Sequence, residues 1–314
     1  MGLRYWGLGA RGALGGPDGW NTRTMATVCV EVAVRDDRRV LDALASLDRQ
    51  ERRPDRVFVA ASDATPRPLL EEVRSRFPAL RLATRTYRGG VVDARAGSLS
   101  ELTETITAFL DADERAPTEW LARLVAPIES GAADFTGGPT RPLRPPEGSI
   151  ERYSVLLEES IYADLVPRRV TYLPLQNTAW RTEALRQLGF DARIPFAEDH
   201  DLETRAARRG LVGMFVPEAW VYHDKSAETS LPRWARKRYR YLVAMAMSLM
   251  KNGELRGRLS EHRRPVAHPL RFVESAMKPL ALCHASLRWH YLSAAVPPEA
   301  PGGGPAPGPG TGRA

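Results

Sequence analysis

The chain has 314 residues, 43% of them hydrophobic and 26% charged, which is typical of a globular protein with one large domain or two small ones. The formal net charge of +7 suits an anionic partner such as a phosphate-rich small molecule or a membrane surface, but no nucleic-acid-binding module is recognisable, so we expect no nucleic-acid partner. Two cysteines, Cys29 and Cys283, are too few for a disulfide scaffold, and no stretch reaches the roughly 18 apolar residues of a membrane span.

From residue 27 onwards, short apolar strands alternate with amphipathic helices. The pattern predicts strands at residues 27–34, 57–61, 80–84 and 105–110, and helices at residues 39–49, 69–77 and 118–130. Such an order predicts an α/β fold with a mainly parallel central sheet that is flanked by helices. Ligands of such sheets bind at the carboxyl ends of the strands.

The two ends of the chain differ in composition from the rest. Residues 1–24 are rich in glycine and lack the order of a secretion signal, and Met25 directly precedes the first strand. Residues 297–314 are almost entirely Pro, Gly and Ala, which cannot build a core. We therefore expect a disordered leader at residues 1–24, an α/β domain at 25–225, a C-terminal helical region at 226–296 and a disordered tail at 297–314.

Two carboxylates end the fourth predicted strand. The apolar run at residues 106–110 leads into Asp111 and Asp113, which an extended backbone places on the same face. Neighbouring acids repel one another unless a cation lies between them, and Mg²⁺ or Mn²⁺ that also holds a substrate phosphate is the usual solution. The alternative is a surface turn, because Asp-x-Asp is frequent by chance.

Several segments follow one another in an order that is found in a known family. They are Ala94-Arg95-Ala96-Gly97, Phe109-Leu110-Asp111-Ala112-Asp113-Glu114, Gln176-Asn177-Thr178-Ala179-Trp180-Arg181, Glu198-Asp199-His200-Asp201-Leu202, and Val216-Pro217-Glu218-Ala219 with Tyr222-His223. From about Thr27 to Tyr241, the chain resembles the family 2 glycosyltransferases, which are inverting enzymes with the Rossmann-like GT-A fold. The resemblance implies transfer of a sugar from a nucleotide-diphosphate sugar to a hydroxyl acceptor, which is a glycan, a lipid or a small molecule.

The resemblance also implies roles for the acids near the first motif. Asp113 is the main ligand of Mn²⁺ or Mg²⁺, and Asp111 contacts the ribose or the metal. Arg95, in a segment that forms a turn in the family, is expected on the donor side. His223 is a candidate third metal ligand, and the alternative is a histidine at a strand end without a role.

A second pair of acids matches the family's position for the general base. Inversion by direct displacement needs a carboxylate that removes the proton of the acceptor hydroxyl. The resemblance assigns this role to Asp199, and it assigns orientation of the acceptor to Glu198. Alternatively, these acids only complement the dipole at the start of a helix at residues 199–209, and both roles can hold together.

A basic stripe follows in the C-terminal region. Arg233, Arg236, Lys237 and Arg240 have the spacing of one helical face. Three interpretations are open. Arg236 and Arg240 neutralise the donor diphosphate, as the resemblance of Tyr239-Arg240-Tyr241 to a family segment implies; the stripe lies on an anionic membrane; or it is a solvated face. We expect a cytoplasmic protein. If the stripe lies on an anionic membrane, the protein would be peripheral at the inner membrane face.

Two segments depart from the family pattern. Ala61 stands where the family commonly has an acid that accepts the uracil N–H. Ala33-Val34-Arg35-Asp36 stands where the family usually has Pro-x-x-Asn after the first strand. Asp36 and Asp63 are candidates to read the base from shifted positions. These changes leave a second hypothesis open, a non-catalytic GT-A-like domain that binds nucleotide sugars or serves as a scaffold. A sugar-phosphate nucleotidyltransferase is less favoured, because that class has a Gly-rich loop after the first strand.

Overall fold

The computed structural model describes residues 26–162, 169–170, 172–227, 229–254 and 267–295. The leader expected at residues 1–24 and the tail expected at residues 297–314 lie outside this part of the chain. The division of the rest into an α/β domain and a helical region stays a prediction.

The described residues form an α/β fold, as the alternation of patterns predicts. The strands are β1 (Val28–Val34), β2 (Arg56–Ser62), β3 (Leu82–Tyr87), β4 (Ile106–Asp111), β5 (Glu114–Arg115), β6 (Phe135–Gly137), β7 (Thr140–Pro142), β8 (Arg169–Val170), β9 (Asn177–Arg181), β10 (Gly213–Phe215) and β11 (Val221–His223). The helices are α1 (Val40–Asp48), α2 (Arg67–Arg76), α3 (Val91–Ser98), α4 (Trp120–Glu129), α5 (Ser149–Tyr162), α6 (Thr182–Leu188), α7 (Glu198–Arg208), α8 (Leu231–Lys251) and α9 (Leu270–Ala295).

The main sheet has eight strands in the order β3-β2-β1-β4-β9-β6-β10-β8. Its first four strands are parallel, with Val30 beside Val57 on one side and Ala108 on the other. β9 then runs antiparallel to both β4 and β6. A small second sheet has the order β5-β11-β7. The mainly parallel central sheet predicted from the sequence is confirmed.

Helices cover both faces of β1, so every residue of this strand is buried. Val28, Val30, Val32 and Val34 belong to the core cluster that includes α1 and α4. Cys29 points to the other face, where it packs in a cluster with Phe58 of β2 and Ala94 of α3. A strand that is buried on both faces reads as a continuous apolar run, which explains why the sequence reveals it clearly.

Two local predictions differ from the structure. The third strand lies at Leu82–Tyr87 rather than at residues 80–84, because this edge strand is only partly buried and has a weak apolar pattern. Arg95 lies in helix α3 rather than in a turn. This helix starts after Gly90, whose N–H donates to the Asp93 carboxylate at 2.7 Å.

Buried polar contacts connect the start of β9 to helix α4 and to the loop before β11. The Asn177 side chain accepts the Trp120 indole N–H at 2.8 Å and donates to the Ala219 carbonyl oxygen at 2.9 Å. Gly138 passes so close that a Cβ atom there would lie 1.8 Å from the same oxygen. Asn177 is therefore a structural residue that holds the edge of the sheet together.

The last two helices pack on each other and on the α/β part. Leu242, Ala246 and Met247 of α8 form a buried cluster with Ala281 and Ala285 of α9. At the start of α8, Trp234 packs edge-on against Tyr153 of α5, with ring centroids 5.6 Å apart. Among the described helices, none has the length and the apolar content needed to cross a membrane.

Candidate active site

The predicted acids lie at the carboxyl edge of the parallel strands. Asp111 is the last residue of β4 and stands beside Ala33 of β1, and Asp113 follows in the turn to β5. Both carboxylates are about one-third exposed, so a ligand has access to them. This edge is where ligands of open α/β sheets bind.

Arg95 links this edge to helix α7. Its buried guanidinium donates to Asp111 Oδ1 at 2.5 Å and to Glu198 Oε1 at 2.9 Å. Burial alone would lower the pKa of Arg95, but the carboxylates of Asp111, Glu198 and Glu31 outweigh it and raise this pKa. Arg95 thus stays charged and brings together two segments that are far apart in the sequence.

Glu31 is a third acid of this network and lies on the central strand β1. It is fully buried, and its Oε2 accepts the hydroxyl proton of Ser98 at 2.7 Å. Its Oε1 has no hydrogen-bond partner. Burial raises the pKa of Glu31 to about 7, against the opposing effect of Arg95.

Asp113 is surrounded by positive groups. Its Oδ2 lies 3.4 Å from His223 Nε2 and 3.4 Å from Arg39 Nη2. Burial would raise the Asp113 pKa, but His223, Lys225 and Arg39 lower it well below its usual range. Its carbonyl oxygen accepts the Asp224 N–H at 2.9 Å, so the segment after β11 is fixed to the Asp-Ala-Asp turn.

The Glu158 carboxylate of α5 contacts the ring nitrogen of His223 that points away from Asp113. His223 Nδ1 lies 2.8 Å from Glu158 Oε1, and its Nε2 lies 3.2 Å from Lys225 Nζ. Burial would lower the His223 pKa, but Glu158 and Asp113 raise it to about 10. Gln176 also donates to Glu158, at 2.6 Å.

The ligand atoms that Asp113 and His223 offer fit a hard divalent cation, although the two side chains contact each other in the structure. Among the described residues, no three or more His, Cys, Asp or Glu side chains already enclose a metal site. Asp113 offers carboxylate oxygen and His223 an imidazole whose other nitrogen is oriented by Glu158, the support that metal-binding histidines usually have. Glu114 Oε1 is buried without a hydrogen-bond partner and lies 3.8 Å from His223 Nδ1, and burial raises the Glu114 pKa well above its ordinary value.

The second pair of acids begins helix α7. Glu198 is buried in its contact with Arg95, whereas Asp199 is partly exposed. Asp199 accepts the Tyr172 hydroxyl proton at 3.1 Å and the His200 N–H at 2.8 Å. Burial raises the pKa of both acids, and the Asp199 carboxylate raises the pKa of Glu198 further, against the opposing effect of Arg95. Phe196, two residues before α7 begins, has a positive φ of 75°, which is uncommon for a non-glycine residue. The chain changes direction here before it enters the helix.

The remaining predicted residues lie at different distances from this network. Asp36 and Asp63 are exposed beyond the ends of β1 and β2, and no contact among the described residues joins them to Asp111 or Asp113. Arg236 is exposed on α8. The Arg240 guanidinium lies 4.4 Å from the Phe196 ring centroid, so the basic stripe reaches the loop before α7.

Sequence reasoning missed the side chains that surround the predicted acids. Arg39 follows the predicted Asp36 by three residues and Lys225 follows the predicted His223 by two, so a cation near a predicted acid or ligand is a usable signal. Glu158, Tyr172 and Glu31 come from distant segments, and no local pattern indicates them.

The fold and the carboxylates at its edge define a GT-A glycosyltransferase. The chain belongs to glycosyl transferase family group 2, whose family model matches residues 106–298. It is 28% identical over 263 residues, 78% of each chain, to the succinoglycan biosynthesis protein ExoM of Rhizobium meliloti (strain 1021). The family 2 resemblance noted in the sequence is confirmed.

Solved structures share the fold at lower identity. A mannosyltransferase from Pyrobaculum calidifontis, solved with GDP-Man and Mn²⁺, is 19% identical, with a TM-score of 0.56 over 88% of this chain and 77% of that one. Residues 1–349 of S. aureus TarS, solved with UDP-GlcNAc, are 15% identical, with a TM-score of 0.51 over 83% and 81% of the two chains.

Proposed function

We propose that the protein is an inverting, metal-assisted glycosyltransferase that moves a sugar from a nucleotide-diphosphate sugar to a hydroxyl acceptor. The observation that carries this proposal is the Arg95 bridge, which joins the strand end at Asp111 to the helix start at Glu198. Both carboxylates therefore contact one guanidinium, which supports a shared site at this edge of the sheet. The nucleotide sugars bound by the mannosyltransferase and by TarS support a donor of this class.

In this proposal, Asp113 and His223 hold Mn²⁺ or Mg²⁺, with Asp111 on the metal or on the donor ribose. When bound, the ion would neutralise the diphosphate and stabilise it as a leaving group. Lys225 and Arg39, which already face Asp113, would add positive charge on the same side. Glu158 would hold the His223 ring in place through Nδ1.

Asp199 is the proposed general base. Its carboxylate takes the proton of the acceptor hydroxyl while that oxygen attacks the anomeric carbon opposite the nucleotide, which inverts the configuration. The raised pKa makes Asp199 a better proton acceptor than an exposed aspartate. Tyr172 and the His200 N–H donate hydrogen bonds to its carboxylate, and Glu198, which Arg95 contacts, would orient the acceptor.

The donor base and the acceptor are left open by this proposal. Ala61 is buried at the end of β2 and offers no acceptor for a uracil N–H. Asp36 and Asp63 are exposed in the segments that follow β1 and β2. They would contact the donor base only if these segments moved over the bound nucleotide. Arg236 and Arg240 remain candidates for diphosphate contact from α8.

A thermal-shift screen of UDP, GDP, CDP and dTDP, with and without Mn²⁺, tests the donor side. A transferase is expected to gain stability from one nucleotide in the presence of the metal, because a ligand that binds only the folded state raises its apparent stability. Asp113→Asn should lose this gain, and Asp42→Asn on the surface of α1 should keep it. A scaffold without a metal-dependent nucleotide site would show no gain with any nucleotide.

Product analysis with the donor identified in that screen tests the base. Asp199→Asn should keep metal-dependent nucleotide binding and lose transfer by a factor of about 10² to 10⁴. The wild-type rate should fall as the pH drops through the Asp199 pKa, because the base must be deprotonated. Normal transfer by this variant would place the base elsewhere, and a product with retained anomeric configuration would exclude the inverting mechanism.

A further inference from the structure

Helix α9 exposes an unusual number of large apolar side chains. Phe272 is 82% exposed, Leu280 64%, Leu287 74% and Tyr291 75%. Leu280, Leu287 and Tyr291 are separated by seven and four residues and so lie along one face of the helix. Val273 and Cys283 are also exposed on α9. We call the set of Phe272, Val273, Leu280, Leu287 and Tyr291 the α9 apolar face.

The surroundings of the α9 apolar face are positive. Helix α8 contains six arginines and lysines and no acid, and α9 contains three and a single acid, Glu274. Glu274 is buried and accepts hydrogen bonds from Tyr153 at 2.8 Å and from Arg238 at 2.9 Å. The two helices therefore present no carboxylate to solvent within their described side chains.

A groove joins the α9 apolar face to the basic stripe of α8. His284 and Arg288 of α9 line it together with Arg240, Val243 and Met247 of α8. On α9, His284 lies one turn from both Leu280 and Leu287. On α8, Arg240 is one turn beyond Arg236, and all four residues of the stripe are exposed. Apolar side chains and cations thus form one continuous surface.

We propose that this surface binds the interface of an anionic lipid bilayer. Apolar side chains would enter the boundary between headgroups and acyl chains, while the flanking cations would contact lipid phosphates, as in amphipathic helices that lie on membranes. A second copy of the chain fits less well, because a two-fold contact through this face would bring the positive stripes of both copies together. The proposal is independent of the transferase chemistry.

Sedimentation of the full chain with sucrose-loaded vesicles tests this surface. One vesicle set contains only phosphatidylcholine, and the other contains phosphatidylcholine and phosphatidylglycerol at about 7:3. We expect binding to the anionic set, weaker binding at high salt, and a loss of about tenfold or more for the double variant Leu280→Ser/Leu287→Ser. Both leucines are exposed, so thermal unfolding of this variant should match the wild type.

A pair of charge reversals controls for net charge. Arg233→Glu lies in the basic stripe of α8, and Arg67→Glu lies on α2; both positions are exposed. Only the first should weaken binding to the anionic vesicles. Equal effects of the two reversals, undiminished binding by the double serine variant, or no binding by the wild type would each overturn the proposal. So would a concentration-dependent dimer, in analytical ultracentrifugation, that the serine variant abolishes.

Discussion

Replacement of Arg95 by alanine should destabilise the protein strongly at neutral and alkaline pH. The variant would leave the Asp111, Glu198 and Glu31 carboxylates without the cation that lies between them. Removal of one partner from a buried ion pair costs about 3–5 kcal/mol. A typical domain has a free energy of unfolding of about 5–15 kcal/mol, so this loss is large enough to measure by urea unfolding.

The loss should depend on pH in a defined direction. Burial already raises the pKa of Glu31 and of Glu198, and loss of the opposing Arg95 charge would raise both further in the folded state. A folded state that binds more protons than the unfolded state loses stability as the pH rises. The destabilisation caused by Arg95→Ala should therefore be smaller at pH 5 than at pH 8.

Arg95→Lys tests whether the positive charge alone is sufficient or whether the hydrogen-bond geometry of the guanidinium is also needed. Lysine keeps the positive charge, but its single ammonium group cannot match the two-armed contact of the guanidinium with Asp111 and Glu198. We expect a loss of about 1–3 kcal/mol, as for a buried group left without its hydrogen bond. Arg38→Lys is the control, because Arg38 pairs with Glu72 at 2.6 Å but is exposed, so this variant should change the free energy of unfolding by less than about 1 kcal/mol. If Arg95→Ala costs less than about 1 kcal/mol at pH 8, or costs the same at both pH values, the neutralising role is wrong.

Two further substitutions test the burial of Glu31 and the close approach at Gly138. Glu31→Gln should become more stable relative to the wild type as the pH rises from 5 to 8, by up to about 3 kcal/mol. The reason is that the Glu31 pKa is about 7 in the folded state and 4.5 as its ordinary value, so the wild type loses stability over this range. An unchanged difference between the urea midpoints at the two pH values would contradict this. Gly138→Ala should destabilise the protein by several kcal/mol or prevent folding, because its Cβ would overlap the Ala219 carbonyl oxygen. Ala219 and Asn177 share that contact, so a soluble variant with wild-type thermal stability would contradict the described packing.

The central strands were predictable because burial on both faces leaves a continuous apolar run. β1, β2 and β4 agree with the sequence pattern to within one residue at each end. β3 lies at the edge of the sheet, where partial burial imposes a weaker pattern, and its prediction is displaced by two residues or more. The position of Arg95 in a helix was missed because the comparison with the family supplied a turn at that place.

The candidate site was predictable only as far as its motifs are local. Asp111 and Asp113 mark a strand end, and Glu198 and Asp199 mark a helix start, so each pair can be read from its own segment. Their connection through Arg95 depends on how α3 packs on the sheet, and single-sequence patterns carry no such information. Glu158, which holds His223, is 65 residues away in the sequence and is equally hidden.

The contrast between the two cysteines has a practical consequence. Cys29 is completely enclosed by β1, β2 and α3, whereas Cys283 is open to solvent on α9. A thiol-reactive fluorophore should therefore label the native protein at one position without any engineered change. Its emission would report the polarity of the environment around α9.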